Sequence, residues 1–263
     1  MVGSLVVILP TAHEGGSLIL RHGRKEWTFD SAEAVRTLLS PQAAFIAFFS
    51  DIEHEVKPVT SGCRVTLTYN LYVKKDSEAK STVVSEDVEN ELALEKVFTR
   101  LLEDSAFDDG ALIGFGLNHK YPIDMDATVL SDIKKYLKGS DATIKRVCDL
   151  LSLDVTIKAV YLDSRDDSME VALLDNFPQL QGPEIEDLIE HLTGDYKGQL
   201  AVDYREPGHG FSVSDTSMPI VWLRPLASIN GFKFAYMAHG NEATLDYAYG
   251  EVCLIARAHP RSR

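Results

Sequence analysis

Cysteine is scarce in this chain, with three residues in 263, at Cys63, Cys148 and Cys253. The number is odd, the three lie far apart, and no pair has metal or redox spacing. That excludes a disulfide framework and a cysteine-based zinc site, and leaves buried small hydrophobes in a reducing compartment as the expectation. Positive charge is short as well. The chain has 26 Lys and Arg against 40 Asp and Glu, a formal net charge of −14. Without a basic stripe, phosphates would be repelled, so nucleic acid is not an expected partner. The longest basic clusters, Arg21 to Lys25 and Lys134 to Lys138, are interrupted and read as solvated faces. No run approaches the ~18 apolar residues of a membrane helix. Val2 to Leu9 lacks the length and the cationic flank of a secretion signal. No membrane partner is therefore expected, and cytosol or nucleus is the expected location. Phosphate-binding glycine loops, a G-x-S-x-G elbow, zinc pairs, internal repeats and low-complexity tracts are all missing.

What remains is an ordinary globular composition, 45% apolar and 25% charged, long enough for a substantial core. Residues 1 to 73 read as β structure. Gly3 to Leu9 is a largely apolar run ending at Pro10. Ser17 to Leu20, Glu26 to Phe29, Ala43 to Phe49, Glu53 to Val59 and Val65 to Val73 follow, with turn signals between them. Short strands punctuated in this way indicate a sandwich or barrel. Strand character begins at Val2 with no polar lead-in, so the chain reads as entered part-way through a sheet. Residues 74 to 90 are charged and Ser-rich, a linker. From 91 to 263 helical and strand patterns mix. Leu94, Val97, Phe98, Leu101 and Leu102 fall on one helical face, Ala111 to Leu117 is a strand, and Ala127 to Leu137 is a helix stopped by Gly139. Ser140 is positioned to cap the next helix, through about Leu151. Val155 to Leu162 and Met169 to Leu174 are strands, and Pro183 opens a helix that Gly194 ends. Glu206 to Pro219 is a loop. The last strands are Ile220 to Leu223, Phe232 to Met237 and Tyr247 to Ala256.

The most informative stretch runs from Asp51 to Asn70. It holds Glu53-His54-Glu55-Val56 and, ten residues on from His54, Arg64 in Ser61-Gly62-Cys63-Arg64-Val65-Thr66. A neutral imidazole can hold a divalent transition metal, and a guanidinium fork grips a carboxylate bidentately. This stretch, together with Gly3 to Pro10, His13-Glu14-Gly15-Gly16 and Arg21-His22-Gly23, resembles fungal proteins of the iron(II)/2-oxoglutarate dioxygenase superfamily, the prolyl 4-hydroxylase-like branch. The resemblance covers the later part of that family's core domain. It is weaker beyond, where His119-Lys120-Tyr121, Leu137 to Asp141 and Gly240-Asn241-Glu242 are similar to the family's C-terminal extension.

The resemblance implies an α+β chain: a partial double-stranded β-helix (jelly-roll) over residues 1–73, a linker over 74–90 and a mixed α/β extension over 91–263. It places the distal metal-ligating histidine at His54. It assigns Arg64 to the far carboxylate of 2-oxoglutarate, with Thr66, on the same strand face, adding a hydroxyl. The family's metal site also needs an H-x-D/E motif, just upstream of the segment matching Gly3 to Pro10. None of the eight histidines here has Asp or Glu two residues later. The implied cofactors are iron(II) and 2-oxoglutarate, and the implied reaction couples decarboxylation of 2-oxoglutarate to hydroxylation of a C–H bond, a prolyl ring being one candidate. The substrate, a protein being one option, cannot be read from sequence. No catalytic residue is assigned, and this chain alone is expected neither to hold iron tightly nor to turn over.

Each residue also has a plainer reading. His54 can be a strand-end histidine satisfied by a backbone carbonyl, and Arg64 can pair with Glu53 or Glu55 at the surface. His13 and Glu14 point to opposite faces and cannot easily share an ion. His22 reads as hairpin, His119 and Tyr121 as packing residues on one strand face, and His209 as loop. Asp108-Asp109 and Asp163 to Asp167 lack the spacing of a calcium loop. Two rival functions stay open. One is a non-catalytic interaction module built on the remnant barrel. The other is a cupin-like jelly roll holding a sugar or small acid without iron, for which no second ligand set is visible.

Overall fold

Alternating apolar residues drive most of the first 72 positions into strands. The computed structural model describes residues 1–36, 41–72, 85–163, 170–178, 184–203, 217–240, 242 and 244–260. The chain is mixed α and β, mostly strands, and one sheet closes into a barrel. It divides into two units, Met1–Ser81 and Thr82–Arg263. No helix among the described residues is long and apolar enough to cross a membrane.

The first unit contains β1 (Gly3–Ile8), β2 (His13–Gly15), β3 (Leu18–His22), β4 (Lys25–Phe29), α1 (Ser31–Val35), β5 (Ala44–Phe49), β6 (Glu53–Val56), β7 (Val59–Gly62) and β8 (Thr66–Leu71). Two three-stranded antiparallel sheets, ordered β5-β1-β8 and β4-β3-β6, accompany the ribbon β2-β7. The stretch Glu53 to Val59, expected as one strand, breaks after Val56. Pro58 has no N–H to give a ladder, and pairing resumes only at Val59.

Register fixes the faces. Ser4, Val6 and Ile8 of β1 stand opposite Phe48, Ile46 and Ala44 on one side and Asn70, Thr68 and Thr66 on the other. Ile8 is fully buried, so this is the inner face. Leu5, Val7, Phe45, Leu67 and Tyr69 share the outer face, where Phe45, Leu67 and Tyr69 are exposed. Helix α1 starts because Asp30 caps it, its carboxylate accepting the Glu33 N–H at 3.1 Å.

The second unit contains α2 (Ser85–Leu102), a 3₁₀ turn (Ser105–Phe107), β9 (Ala111–Gly116), α3 (Leu130–Ile133) running into a second 3₁₀ turn (Lys134–Tyr136), α4 (Gly139–Leu150), β10 (Asp154–Asp163), β11 (Glu170–Leu174), α5 (Leu188–Gly194), β12 (Gln199–Asp203), β13 (Met218–Arg224), β14 (Gly231–Ala238) and β15 (Thr244–Ala258). Helix α2 begins inside the stretch read as linker. Its face differs too: Phe98 is buried, but Val97, one residue and about 100° away, is 60% exposed.

The strand order β10-β11-β12-β13-β9-β15 closes because β10 also pairs with β15, and β14 flanks the ring. β15 makes this possible by its length of 15 residues. One edge pairs first with β14 and then with β9, while the other holds β10. Inside the ring lie Leu112, Val160, Leu173, Ala201, Ile220, Trp222, Cys253 and Ile255. Trp222 fits because Gly114 opposite it has no Cβ, which would stand 2.4 Å from the indole. The outer face of the barrel buries Ile113, Phe115, Ile157 and Leu254 in one cluster with Phe98 of α2, Val147 of α4 and Leu192 of α5.

Three local expectations change. Ser140 does not cap α4, whose N-cap is Lys138 without a side-chain bond; its hydroxyl instead accepts from Asn118 and Arg224. Helix α3 is a single turn followed by 3₁₀ geometry rather than the span Ala127 to Leu137. Helix α5 starts at Leu188, where Asp187 accepts the Glu190 N–H at 2.8 Å; Pro183 lies outside the described residues.

Candidate functional site

His54 enters on β6, directly opposite Leu20 of β3. Its ring lies against Phe48 of β5, with centroids 5.0 Å apart and planes tilted by 47°. Phe48 stands on the inner face of the other sheet, so His54 faces the space between the two sheets although its position on β6 leaves it exposed. Nδ1 of His54 is 3.2 Å from the Ile52 carbonyl. A carbonyl only accepts, so Nδ1 donates this bond, and in the neutral ring Nε2 then presents its lone pair. A backbone carbonyl orienting the remote nitrogen in this way is the usual support for a metal-facing imidazole. The plainer reading of His54 therefore describes the same bond that leaves Nε2 available.

Thr66 opens β8 opposite the buried Ile8 and shares the inner face. The levels of Phe48 and Thr66 are four residues apart along β1, about 13 Å at ~3.3 Å per residue. Arg64 lies two residues before Thr66, in the turn ahead of the strand, and is half-buried. Its Nε–H donates to Ser31 Oγ at 3.2 Å. Ser31 is fully buried. Its hydroxyl donates to the Gly16 carbonyl at 3.0 Å and meets Nε2 of His13 at 3.1 Å, while Nδ1 of His13 donates to the Thr11 carbonyl. Gly16, at φ +72°, admits the Arg64 stem: a Cβ there would lie 2.7 Å from Arg64 Cδ.

The electrostatics separate the two readings of Arg64. Glu53 and Glu55 are not its partners; both turn to Arg21, at 3.7 and 3.1 Å, and Arg21 also holds Glu26 at 2.7 Å. The hydrogen bonds that Arg21 donates to Glu26 and Glu55 push its pKa up, while burial pushes that of Arg64 down. Among the described residues Arg64 meets no carboxylate.

Other residues singled out in the sequence fall elsewhere. His13 is buried and Glu14 exposed, as alternation requires. A hollow of 630 Å³ opens beside His13, between β2, β7 and α1, and neither His54, Arg64 nor Thr66 lines it. His22 is half-buried at the β3–β4 hairpin, its Nε2 4.0 Å from Asp51 Oδ2. His119 and Tyr121 lie in the loop after β9, not on a strand, and both are buried. Tyr121 donates its hydroxyl to Asp141 at 3.0 Å, and the same carboxylate accepts the N–H groups of Asn118 and His119 and pairs with Arg224. His209, Asn241 and residues 164–167 lie outside the described residues. Cys148 and Cys253 are buried, but Cys63, in the turn between β7 and β8, is exposed.

Sequence reasoning missed Ser31 and Phe48. Ser31 sits after a helix-capping aspartate, where a serine is unremarkable, and 33 residues separate it from Arg64. Comparison of the chain with protein-family models, with curated proteins and with solved structures finds no match.

Proposed function

We propose that the first unit is the later part of an iron(II)/2-oxoglutarate oxygenase-type jelly roll, with His54 as its metal-facing imidazole and Arg64 and Thr66 as the clamp for the far carboxylate of 2-oxoglutarate. The observation that carries this is the guanidinium of Arg64, half-buried and without a carboxylate among the described residues, while two nearby glutamates are taken by Arg21. A desolvated guanidinium favours a bidentate anion. The pairing pattern supports the fold. An eight-stranded jelly roll is a long hairpin folded on itself, pairing first with eighth strand through fourth with fifth. If β1, β3, β4, β5, β6 and β8 are its third to eighth strands, then β1–β5 and β3–β4 are hairpin pairs, and β1–β8 and β3–β6 are the contacts made on folding back.

Iron itself does not fit these residues. A tight site needs pre-positioned ligands, and the assigned donor set is one imidazole, since no H-x-D/E occurs in the chain. The reading is therefore of a chain that grips a 2-oxo diacid at its far end and does not hydroxylate unaided. Titrating the full chain with 2-oxoglutarate while following amide signals by NMR tests it. Saturable shifts at Arg64 and Thr66, abolished by Arg64→Gln, are expected; no shift at either residue would reject the clamp. Manganese(II) calorimetry is expected to show no micromolar one-to-one binding, and finding it would overturn the ligand assignment.

A second reading, an interaction module on the same barrel, is favoured by the exposed outer face of Phe45, Leu67 and Tyr69. Exposed contiguous apolar surface marks a contact site more often than chance. Retention of 2-oxoglutarate binding with no turnover would fit both readings; failure of the diacid to bind would reject the clamp and favour this one.

A further inference from the structure

The barrel of the second unit turns charge inward at one mouth. Asp154, Thr156 and Lys158 of β10 stand opposite Arg257, Ile255 and Cys253 of β15. Cys253 and Ile255 belong to the barrel interior, so all six share that face. All of them but Cys253 border, with Leu112, Asp175, Gln199 and His259, a hollow of about 430 Å³, within the size of small-molecule sites and at a barrel mouth, where such sites recur. Its floor is apolar, from Leu112 and Ile255.

The charges at this mouth are unevenly satisfied. Lys158, its side chain 12% exposed, pairs with Asp175 at 2.7 Å. Asp154 faces Arg257 in the register, but its carboxylate pairs with His259 at 2.8 Å. Arg257 is half-buried, and its bond is to the neutral Gln199 amide oxygen, at 3.2 Å. Among the described residues it meets no carboxylate, in a chain with 40 acidic side chains. A guanidinium carries five N–H donors and tolerates burial only with acceptors to match.

We propose that this mouth binds a small monocarboxylic acid, its carboxylate on Arg257 and its carbon body over Leu112 and Ile255. A single negative charge is the better match than phosphate, because Asp154 and Asp175 border the same hollow and Lys158 is already neutralised. The site lies wholly within the second unit and does not depend on the reading of the first.

Benzoate, hexanoate, their uncharged amides and inorganic phosphate, titrated into the full chain and followed by NMR and calorimetry, test this. Benzoate or hexanoate should shift the residue 154–158 and 253–257 amides, with the amides of these acids and phosphate each binding at least roughly tenfold more weakly. Arg257→Gln, folded as judged by circular dichroism, should weaken the carboxylate by a similar factor. Should that variant not fold, benzoate should still protect Arg257 of the unmodified sequence, and not the exposed Arg24, from phenylglyoxal. The proposal is overturned by carboxylates that leave these amides unmoved, by amides or phosphate binding as tightly as the acids, by unchanged affinity in the variant, or by absence of protection.

Discussion

The Nε–H of Arg64 is anchored by the hydroxyl of Ser31, a residue 33 positions earlier and fully buried. Because the bond is made at Nε, the two terminal nitrogens are not engaged by Ser31. Ser31 in turn stands on the Gly16 carbonyl and on His13, so the guanidinium is positioned by three segments of the first unit.

Removing that hydroxyl should be felt twice. Ser31→Ala leaves the Gly16 carbonyl and the Arg64 Nε–H without their partner, a cost of about 1–3 kcal/mol. Urea unfolding should report this loss, and the 2-oxoglutarate shift at Arg64 should weaken in the same variant. A midpoint within error of the parent would show that Ser31 is incidental.

Asp141 is the corresponding node of the second unit. It is fully buried and meets Arg224, the Tyr121 hydroxyl and two backbone N–H groups. Asp141→Asn removes the charge but keeps the shape, stranding the Arg224 guanidinium. We expect a loss of about 3–5 kcal/mol, read from denaturant unfolding of the full chain. A loss under about 1 kcal/mol would mean that Arg224 finds water instead.

Inside the barrel, Gly114→Ala should push the Trp222 ring from its seat, costing roughly 1–3 kcal/mol by overpacking. Trp222→Leu in the same chain should recover part of that cost. Strictly additive losses would show that the two residues are not coupled as their geometry implies.

Thiol chemistry distinguishes the three cysteines. Burial, with Asp149 nearby, pushes the Cys148 thiol up to about 12, and burial pushes Cys253 up as well. The thiolate is the nucleophile, so near pH 8 a chromogenic disulfide should titrate one fast thiol, Cys63, in the native chain and three after unfolding. Fast labelling of Cys148 in the native state would contradict its burial.

The Glu55 carboxyl is held below the usual glutamate range, chiefly by the Lys57 ammonium at 2.7 Å and then by Arg21. A depressed folded-state value means that its contribution is present above the ordinary glutamate value and is lost as pH falls through the lower folded one. Following the side-chain carboxyl carbon by NMR should give a midpoint that rises in Lys57→Met. An unmoved midpoint would remove Lys57 as the cause.

Much of the local structure was legible because it is written locally. The run Gly3 to Leu9 and the alternation after Val65 name their own strands. His54 and Arg64 stand out because one ten-residue spacing holds both. What was not legible depends on partners distant in sequence. The break at Pro58 could be foreseen from chemistry, but that Glu53 and Glu55 choose Arg21 over Arg64 is decided by the pairing of β3 with β6. Ala111 to Gly116 is buried on both faces, outside by helices and inside by the ring, so periodicity cannot say which side is interior. Val155 to Leu162 was legible as a strand, but only its pairing with β15 shows that Thr156 and Lys158 line the barrel mouth.

The seam between Thr156 and Ile255 joins residues 99 apart in the chain. During synthesis β9 and β10 therefore emerge long before β15, the strand that completes both of their ladders. Until it arrives they carry open hydrogen-bonding edges and uncovered apolar rows, the conditions that slow folding and invite aggregation. The ring therefore cannot close until β15 has been made, and a chain stopped before Thr244 would lack the seam altogether.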